Sequence, residues 1–352
     1  MLISRSKILY FVVLAIGISF LFGPGLKIAQ DELTSIVRLA YLLTIILYLV
    51  KYAKFTLLYV FIVLIVFCFT IFKFENLIYL NYIVILLLVL FFSSFNEVEV
   101  IECIFKISIC LMIIHLTLYM VGFASEQIDA NYIGRGRLTL GFSNPNQLAV
   151  YYFSIFSVVM LKLTNKSNLS VYYKSLLIFI AILCLYIIIV SDSRTSLIGV
   201  FIVCSAYLYN KLFGIGYKIL TVSLISSIVV TLLLPMFKST SVDVILSFRP
   251  SIFYNVIKEL DFYQILFGFE YIEEVDNTYL IIFQSFGLIV GSILLFAIIK
   301  VLKLSPPYLN VIIVAVFIMS IFESFSIRPE LPISMVFMLA LSHHFRLKAL
   351  LT

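Results

Sequence analysis

The chain has 352 residues, of which 63% are hydrophobic and only 12% are charged, and its mean hydropathy is +1.19. Apolar runs long enough to cross a ~30 Å hydrocarbon layer recur along the whole chain, which excludes a soluble domain of ordinary composition. The net charge of +6 follows the predicted membrane topology, so it does not indicate nucleic acid as a partner. We therefore expect an all-α polytopic membrane protein that forms a single integral membrane domain, 1–352.

The first apolar run follows Arg5 and Lys7 and ends in Gly-Pro-Gly rather than in a small-residue cleavage site. Because more apolar runs follow, we interpret it as an uncleaved first helix. Two connections are longer than a link between spans requires, at 124–145 and 237–276. The sequence predicts about twelve spans, at 7–23, 34–50, 55–72, 77–93, 100–122, 146–162, 175–191, 194–211, 217–236, 277–299, 308–326 and 331–346.

The second long connection contains RPSIFYNVIKELDFYQILFG, whose apolar residues recur at helical spacing. This pattern predicts an amphipathic helix that lies at the membrane interface or covers the bundle. A large extracytoplasmic loop with short helices is therefore expected at 237–276.

Lysines and arginines are distributed differently along the chain. If both termini are cytoplasmic, twelve of the sixteen lysines lie on the cytoplasmic side, as the positive-inside bias predicts. The acidic connection with Glu97, Glu99 and Glu102 is the one that does not support this orientation. Arginine carries a permanent charge on a planar fork that matches phosphate and carboxylate oxygens. Six of the eight arginines lie on the outer side instead, namely Arg38, Arg135, Arg137, Arg194, Arg249 and Arg328.

Several helices that start at the outer face are marked by residues typical of helix N-termini. Such a terminus carries about half a positive charge and unpaired N–H groups, which favour anions. Arginines beside several of these termini would create an anion-attracting outer face. The marked starts are Asn144-Pro145, Ser193, Asp276-Asn277, Arg328-Pro329 and, in the large loop, Arg249-Pro250.

Each of these signals also has a structural interpretation. Arg194 and Arg328 could extend to phospholipid headgroups, and Asp276-Asn277 could be only a helix cap. Glu323 falls inside the eleventh predicted span, where an ionisable side chain is costly, and it could simply pair with Arg328. What favours a functional site is that all these groups are expected on one side of the membrane.

The remaining polar and reactive residues suggest packing rather than chemistry. The five cysteines lie in or beside apolar runs without paired spacing, and His115 lies alone inside the fifth span. Gly287 and Gly291 form GLIVG, which predicts close packing between helices. DxD, HExxH, Walker A and Gly-x-Ser-x-Gly motifs are absent from the sequence, so we expect neither a metal nor another cofactor.

Three segments resemble motifs of the O-antigen polymerase and ligase superfamily, in the order in which that family carries them. GRLTLGFSNPNQLAVYY, at 136–152, resembles the family's Asn-Pro-Asn entry into a helix. SDSRTSLIG, at 191–199, resembles its Ser-x-Ser-Arg turn. The third match runs from FRPSIFYNVIKEL through VDNTYLIIFQSFGLIVG, and it resembles the Arg-bearing large loop and the helix that follows.

The resemblance implies a metal-independent membrane glycosyltransferase of the GT-C type at the outer face of the bacterial cytoplasmic membrane. Its donor would be an oligosaccharide linked to undecaprenyl diphosphate, with membrane lipid around it and a chain-length regulator as a candidate partner. The matched motifs carry a diphosphate-binding role onto Arg194 and Arg249. Substrate-binding roles are expected for Arg135, Arg137, Asn144, Asn146, Asn277, Tyr279 and Arg328.

Transfer of a sugar also needs a group that accepts a proton from the incoming hydroxyl. The ligase branch commonly has a histidine before the Asn of the large-loop motif, and Asp276 stands there in this chain. Asp276 is therefore the candidate base, and the departure favours a polymerase over a ligase. Rivals for the base are Glu270, Glu273 and Glu274, and aromatic residues that could stack on sugar rings are Tyr254, Phe269, Tyr271 and Tyr279.

Three functions thus remain open at this point. The first is a polymerase of O-antigen or capsular repeat units, and the second is a ligase that moves finished glycan to another acceptor. The third is a transporter or flippase of lipid-linked glycan. A transporter would favour internal repeats or polar groups near the membrane midplane, whereas most strong charges here are expected at the outer ends of helices.

Overall fold

The structure is a computed structural model, and it describes residues 4–28, 31–52, 78–124, 137–165, 169–246, 248–258, 260–268, 276–324 and 328–351. All the regular elements in these ranges are helices. In chain order they are α1 (Arg5–Phe20), α2 (Asp31–Tyr52), α3 (Ile78–Ser93), α4 (Glu97–Met120), α5 (Pro145–Asn165), α6 (Val171–Val190), α7 (Arg194–Phe213), α8 (Tyr217–Leu233), α9 (Ser241–Ile245), α10 (Arg249–Lys258), α11 (Phe262–Phe267), α12 (Thr278–Leu302), α13 (Pro307–Met319) and α14 (Pro332–Leu351).

The bundle has a buried interior and an apolar periphery. Helices α5 and α13 are largely buried, and α14 packs against α3, α4, α5, α12 and α13. Helices α2, α6, α7 and α8 expose many large apolar side chains. Inside a bilayer such side chains face acyl chains, and a helix satisfies most of its backbone polar groups through its own hydrogen bonds. The polytopic membrane architecture predicted from composition is thus confirmed.

Eight helices of the described ranges are long and apolar enough to span a membrane, and they correspond to predicted spans. Two shorter apolar helices, α3 and α13, occupy the fourth and eleventh predicted positions. The predicted span 55–72 lies outside the described residues, so the count of twelve stays a prediction. The eleventh span was predicted too long, because its helix ends at Met319 and Glu323 lies in the turn beyond it.

One end of the bundle collects the acidic residues that opposed the predicted orientation. The Glu97 carboxylate lies 3.3 Å from Nδ1 of His343 and 3.8 Å from Nη1 of Arg346. Glu102 pairs with Lys162, which is almost completely buried at the end of α5. These acids lie next to basic groups at the ends of α5 and α14. They are therefore compatible with a basic, lysine-rich end of the bundle.

The large loop forms three short helices instead of one long amphipathic helix. Helix α10 begins at Arg249, as Arg249-Pro250 predicts, but it ends at Lys258. Asp261 then caps α11 with a capping box: its side chain accepts from the Gln264 backbone N–H, while the Gln264 side chain accepts from the Asp261 N–H. A second N-cap inside the predicted stretch divides it into α10 and α11.

Helix α12 is broken at Gly287, where the backbone is non-helical with φ 71° and ψ 173°. The end of α11 lies against this break, so a Cβ on Gly287 would be 2.1 Å from the carbonyl oxygen of Leu266. The GLIVG motif was predicted to bring two helices together. Its first glycine instead allows a kink and a close approach of loop backbone.

Candidate functional site

Most helix starts marked in the sequence are found where they were predicted, at one end of the bundle. Helix α5 begins at Pro145, and the Asn144 side chain accepts a hydrogen bond from the backbone N–H of Asn146 at 2.7 Å. Asn277 caps α12 by accepting from Leu280 N–H. The last helix differs, because α14 begins at Pro332 rather than at Arg328-Pro329.

Three separate parts of the chain meet at the Glu323 carboxylate. Its Oε1 accepts a hydrogen bond from Oγ1 of Thr195, in the first turn of α7, at 3.2 Å. The same atom is 3.2 Å from Nη2 of Arg249, at the start of α10. Glu323 is only 5% exposed, and the Arg249 side chain 12%. The arrangement is a shielded ion pair, which we call the Glu323 cluster (Thr195, Arg249 and Glu323).

Burial raises the pKa of Glu323 from its ordinary value to about 7, although the Arg249 guanidinium opposes this rise. Asp276 adds to the rise, whereas Arg328 and the hydrogen bond from Thr195 oppose it. The carboxyl group can therefore change its protonation state near neutral pH. The sequence indicated that Glu323 was unusual but suggested Arg328 as its partner; the direct partner is Arg249.

Arg194 lies at the edge of the Glu323 cluster. It is the first residue of α7, and its exposed guanidinium donates from Nη1 to the Ile245 carbonyl at a long 3.5 Å. Ser193 is the N-cap residue as predicted, but its hydroxyl bonds to the side chains of Ser196 and Thr195 rather than to backbone N–H groups. Arg194 thus connects the start of α7 with the large loop while its charge stays accessible.

Arg137 holds the turn before α7 against the start of α5. Its Nε donates to the Ser191 carbonyl at 3.0 Å, and Nη2 donates to Asn146 Oδ1 at 2.7 Å and to the Asp192 carbonyl at 3.2 Å. Asp192 adopts a positive φ of 49° in this turn. The segments 136–152 and 191–199 are therefore in direct contact, although 54 residues separate Arg137 from Ser191.

Asp276 and Arg328 form a second, more exposed ion pair. Their closest atoms, Nη2 of Arg328 and Oδ1 of Asp276, are 3.7 Å apart, and the Asp276 side chain is 53% exposed. Both groups act electrostatically on Glu323, so they lie beside the Glu323 cluster. The candidate base is accordingly open to solvent next to a buried carboxyl group.

Asn277 and Tyr279 occupy internal positions instead of facing a cleft. Asn277 is completely buried and donates to Thr231 Oγ1 at 3.2 Å and to the Ile321 carbonyl at 2.6 Å. Tyr279 is 2% exposed, and its hydroxyl donates to the Phe317 carbonyl at 2.7 Å. These contacts fix α12 against α13, so the ring of Tyr279 does not present a free face for stacking on a sugar.

Some predicted residues lie outside the described ranges, namely Arg135, Phe269, Glu270, Tyr271, Glu273, Glu274 and most of the connection 124–145. Tyr254 is described, and its ring is in contact with Lys238.

Two polar residues that the sequence did not single out support the site. Thr195 bonds to Glu323, and the buried Asp243 accepts hydrogen bonds from Ser239 and Ser251 at the base of α10.

Other candidate chemistry is limited in the part of the chain that the structure describes. No group there of three or more His, Cys, Asp or Glu residues could hold a metal ion. His115 is buried and bonded to the Tyr152 hydroxyl at 2.7 Å and the Leu140 carbonyl at 2.9 Å, which gives it a structural role.

Known protein families, characterised proteins and solved structures offer no match to the chain.

Proposed function

We propose that the protein polymerises undecaprenyl-diphosphate-linked oligosaccharide repeat units of O-antigen or capsular polysaccharide, at the outer face of the bacterial cytoplasmic membrane. In this proposal both termini are cytoplasmic, and the end of the bundle with the Glu323 cluster faces outward. The fold would be of the GT-C type.

The observation that supports this proposal best is the convergence of Arg194 and Arg249. One begins a transmembrane helix and the other begins a loop helix, and the Thr195–Glu323–Arg249 contacts bring the two starts together. Arginine forks bind phosphate oxygens bidentately, and helix N-termini add further positive potential. Such a pair suits a diphosphate better than a single lysine would.

The reaction requires positive charge where the leaving group forms. The acceptor hydroxyl oxygen would attack the anomeric carbon of the donor sugar, and the bond from that carbon to the diphosphate oxygen would break. Undecaprenyl diphosphate would leave with the bonding electrons, and Arg194 and Arg249 would stabilise its charge. The hydroxyl proton would pass to a carboxylate, for which Asp276 is the exposed candidate.

A deletion strain tests the function itself. Loss of a polymerase should leave single repeat units on the surface glycolipid. Loss of a ligase should instead leave polymer on the polyprenyl carrier, and loss of a flippase should trap single units inside the cell. Either of these last two results would contradict the proposal.

Complementation then tests the two arginines. Arg194→Lys and Arg249→Lys keep the charge but lose the fork, so each should shorten the polymer sharply. Arg346→Lys is a matched control, because Arg346 pairs with Glu97 at the basic, lysine-rich end of the bundle. If both site variants made polymer of normal length, the diphosphate-binding role would be wrong.

A further inference from the structure

Glu323 is held rigidly in a position where it neutralises Arg249. Its backbone N–H donates to the Met319 carbonyl at 2.9 Å, and its own carbonyl accepts from Thr278 Oγ1 at 3.1 Å. The side chain is 6% exposed. The carboxylate therefore has little freedom to follow Arg249 if that guanidinium turns toward another anion.

A diphosphate on Arg249 would compete directly with Glu323. In the free protein the carboxylate and the guanidinium compensate each other, which offsets the desolvation of both charges. A bound diphosphate brings its own negative charge to the same guanidinium and leaves Glu323 as a buried, poorly compensated anion. Such a group gives up its charge by taking a proton.

We propose that binding of a diphosphate ligand at Arg249 displaces Glu323 from its ion pair and makes Glu323 take up one proton. The inference rests on the proposed function, since it assumes that the ligand of Arg249 is the diphosphate of a lipid-linked glycan. On binding, the ligand's negative charge thus replaces the charge that Glu323 loses when it is protonated. Donor binding is thereby coupled to pH.

The surrounding groups set the direction of this coupling. Arg249 and Arg328 favour the charged form of Glu323, as does the Thr195 hydroxyl, whereas Asp276 and burial favour the neutral form. The pKa of Glu323 is about 7 before the ligand arrives, and the ligand's negative charge raises that pKa. Between the two pKa values each bound ligand takes up one proton, so Kd should rise about tenfold per pH unit there.

The experiment measures proton uptake with a defined probe, a farnesyl-diphosphate-linked monosaccharide. Its phosphates are both esterified and stay ionised near neutral pH, so they do not contribute protons of their own. Isothermal titration of the full-length protein in detergent, at pH 7.5 in two buffers of different ionisation enthalpy, gives the number of protons bound. We expect net uptake of up to one proton in the wild type and none in Glu323→Gln, which should also bind with little dependence on pH.

Two further variants keep the result interpretable. Asp276→Asn is the matched control, because it removes the neighbouring carboxylate but leaves Glu323; uptake should persist and shift to lower pH. If Glu323→Gln does not fold, Thr195→Val serves instead, because loss of its hydrogen bond should move the uptake to higher pH.

Each other outcome overturns the inference. Binding without proton uptake in the wild type shows that Glu323 stays ionised beside the ligand. Uptake that persists in Glu323→Gln assigns the proton to another group. A probe that does not bind refutes the diphosphate site as well, whereas normal binding without coupling leaves the proposed function intact.

Discussion

Arg249 and Glu323 are 74 residues apart in the sequence, yet Nη2 of the arginine lies 3.2 Å from Oε1 of the glutamate. The pair joins the loop helix α10 to the turn that follows α13. Both side chains are shielded from solvent, and the ring of Phe322 lies 5.9 Å from the Arg249 guanidinium carbon. Each buried charge therefore depends on the other, and the position of the loop depends on both.

The first prediction concerns removal of one partner of this pair. Arg249→Met should destabilise the protein increasingly as pH rises from about 6 to about 9, because Glu323 without its counter-charge takes a proton at the lower pH but is pressed to stay buried and charged at the higher. Arg194→Met is the comparison: that side chain is exposed and makes only a 3.5 Å contact, so its effect should stay within about 0.5 kcal/mol. Thermal unfolding in detergent measures both. Equal stability of the two variants would show that the ion pair does not hold the loop.

Arg137 supplies the second prediction, on the contact between two sequence motifs. Arg137→Met removes hydrogen bonds to Ser191, Asp192 and Asn146. Since hydrogen bonds of a charged group contribute about 1.5–3 kcal/mol each, the loss should exceed that of Asn146→Ala, which removes only one of these contacts. The variant should also lower polymer length, because the turn before Arg194 loses its support. A normal glycan profile with reduced stability would make Arg137 purely structural.

Helix starts could be predicted from the sequence because their signals are local. Pro145, Arg249 and Asn277 begin or cap helices through contacts within a few residues, and such contacts are specified by short stretches of sequence. The lysine and arginine distribution similarly indicated that the polar helix ends share one end of the bundle. The membrane fold class followed from hydropathy alone.

Partners across the bundle could not be predicted in the same way. Glu323 was expected to pair with Arg328, five residues away, whereas its partner is Arg249 on a distant loop helix. Tyr279 was expected to stack on a sugar ring. That expectation failed because the sequence does not show which side of α12 packs on α13. The break at Gly287 also escaped prediction, since it depends on the approach of Leu266 and Gly268 from another segment.

That break gives the third prediction. Gly287→Ala should destabilise the protein strongly, by more than the about 1–3 kcal/mol expected for a strained backbone alone, because its Cβ would also meet the Leu266 carbonyl at 2.1 Å. Gly216→Ala is the matched control; its φ is −85°, and a Cβ there meets nothing within 4 Å. The difference in thermal unfolding midpoint checks this. Similar midpoints would mean that α12 can straighten without loss.

Asp243 leads to the fourth prediction, on pH. Burial would raise the pKa of Asp243, but the hydrogen bonds from Ser251 and Ser239 outweigh it and bring the pKa below its ordinary value. A lowered pKa in the folded state stabilises the protein above about pH 4, where the unfolded carboxyl is ionised, and this contribution is lost as pH falls. The protection factors of the α10 amides, which are corrected for the slower intrinsic exchange in acid, should therefore fall as pH drops. Asp243→Asn should exchange faster already at neutral pH and should lack this acid dependence.

The last prediction separates a catalytic Asp276 from a structural one. Its ion pair with Arg328 is half exposed and 3.7 Å long, so Asp276→Asn should change stability by no more than about 1 kcal/mol. If Asp276 accepts the proton of the acceptor hydroxyl, the same variant should reduce kcat by about 100-fold or more, with KM for the donor little changed. Arg328→Gln breaks the same pair but keeps the carboxylate, so it should retain most of kcat. A large loss in Arg328→Gln together with a small one in Asp276→Asn would reverse the roles, making the arginine the group that acts on substrate.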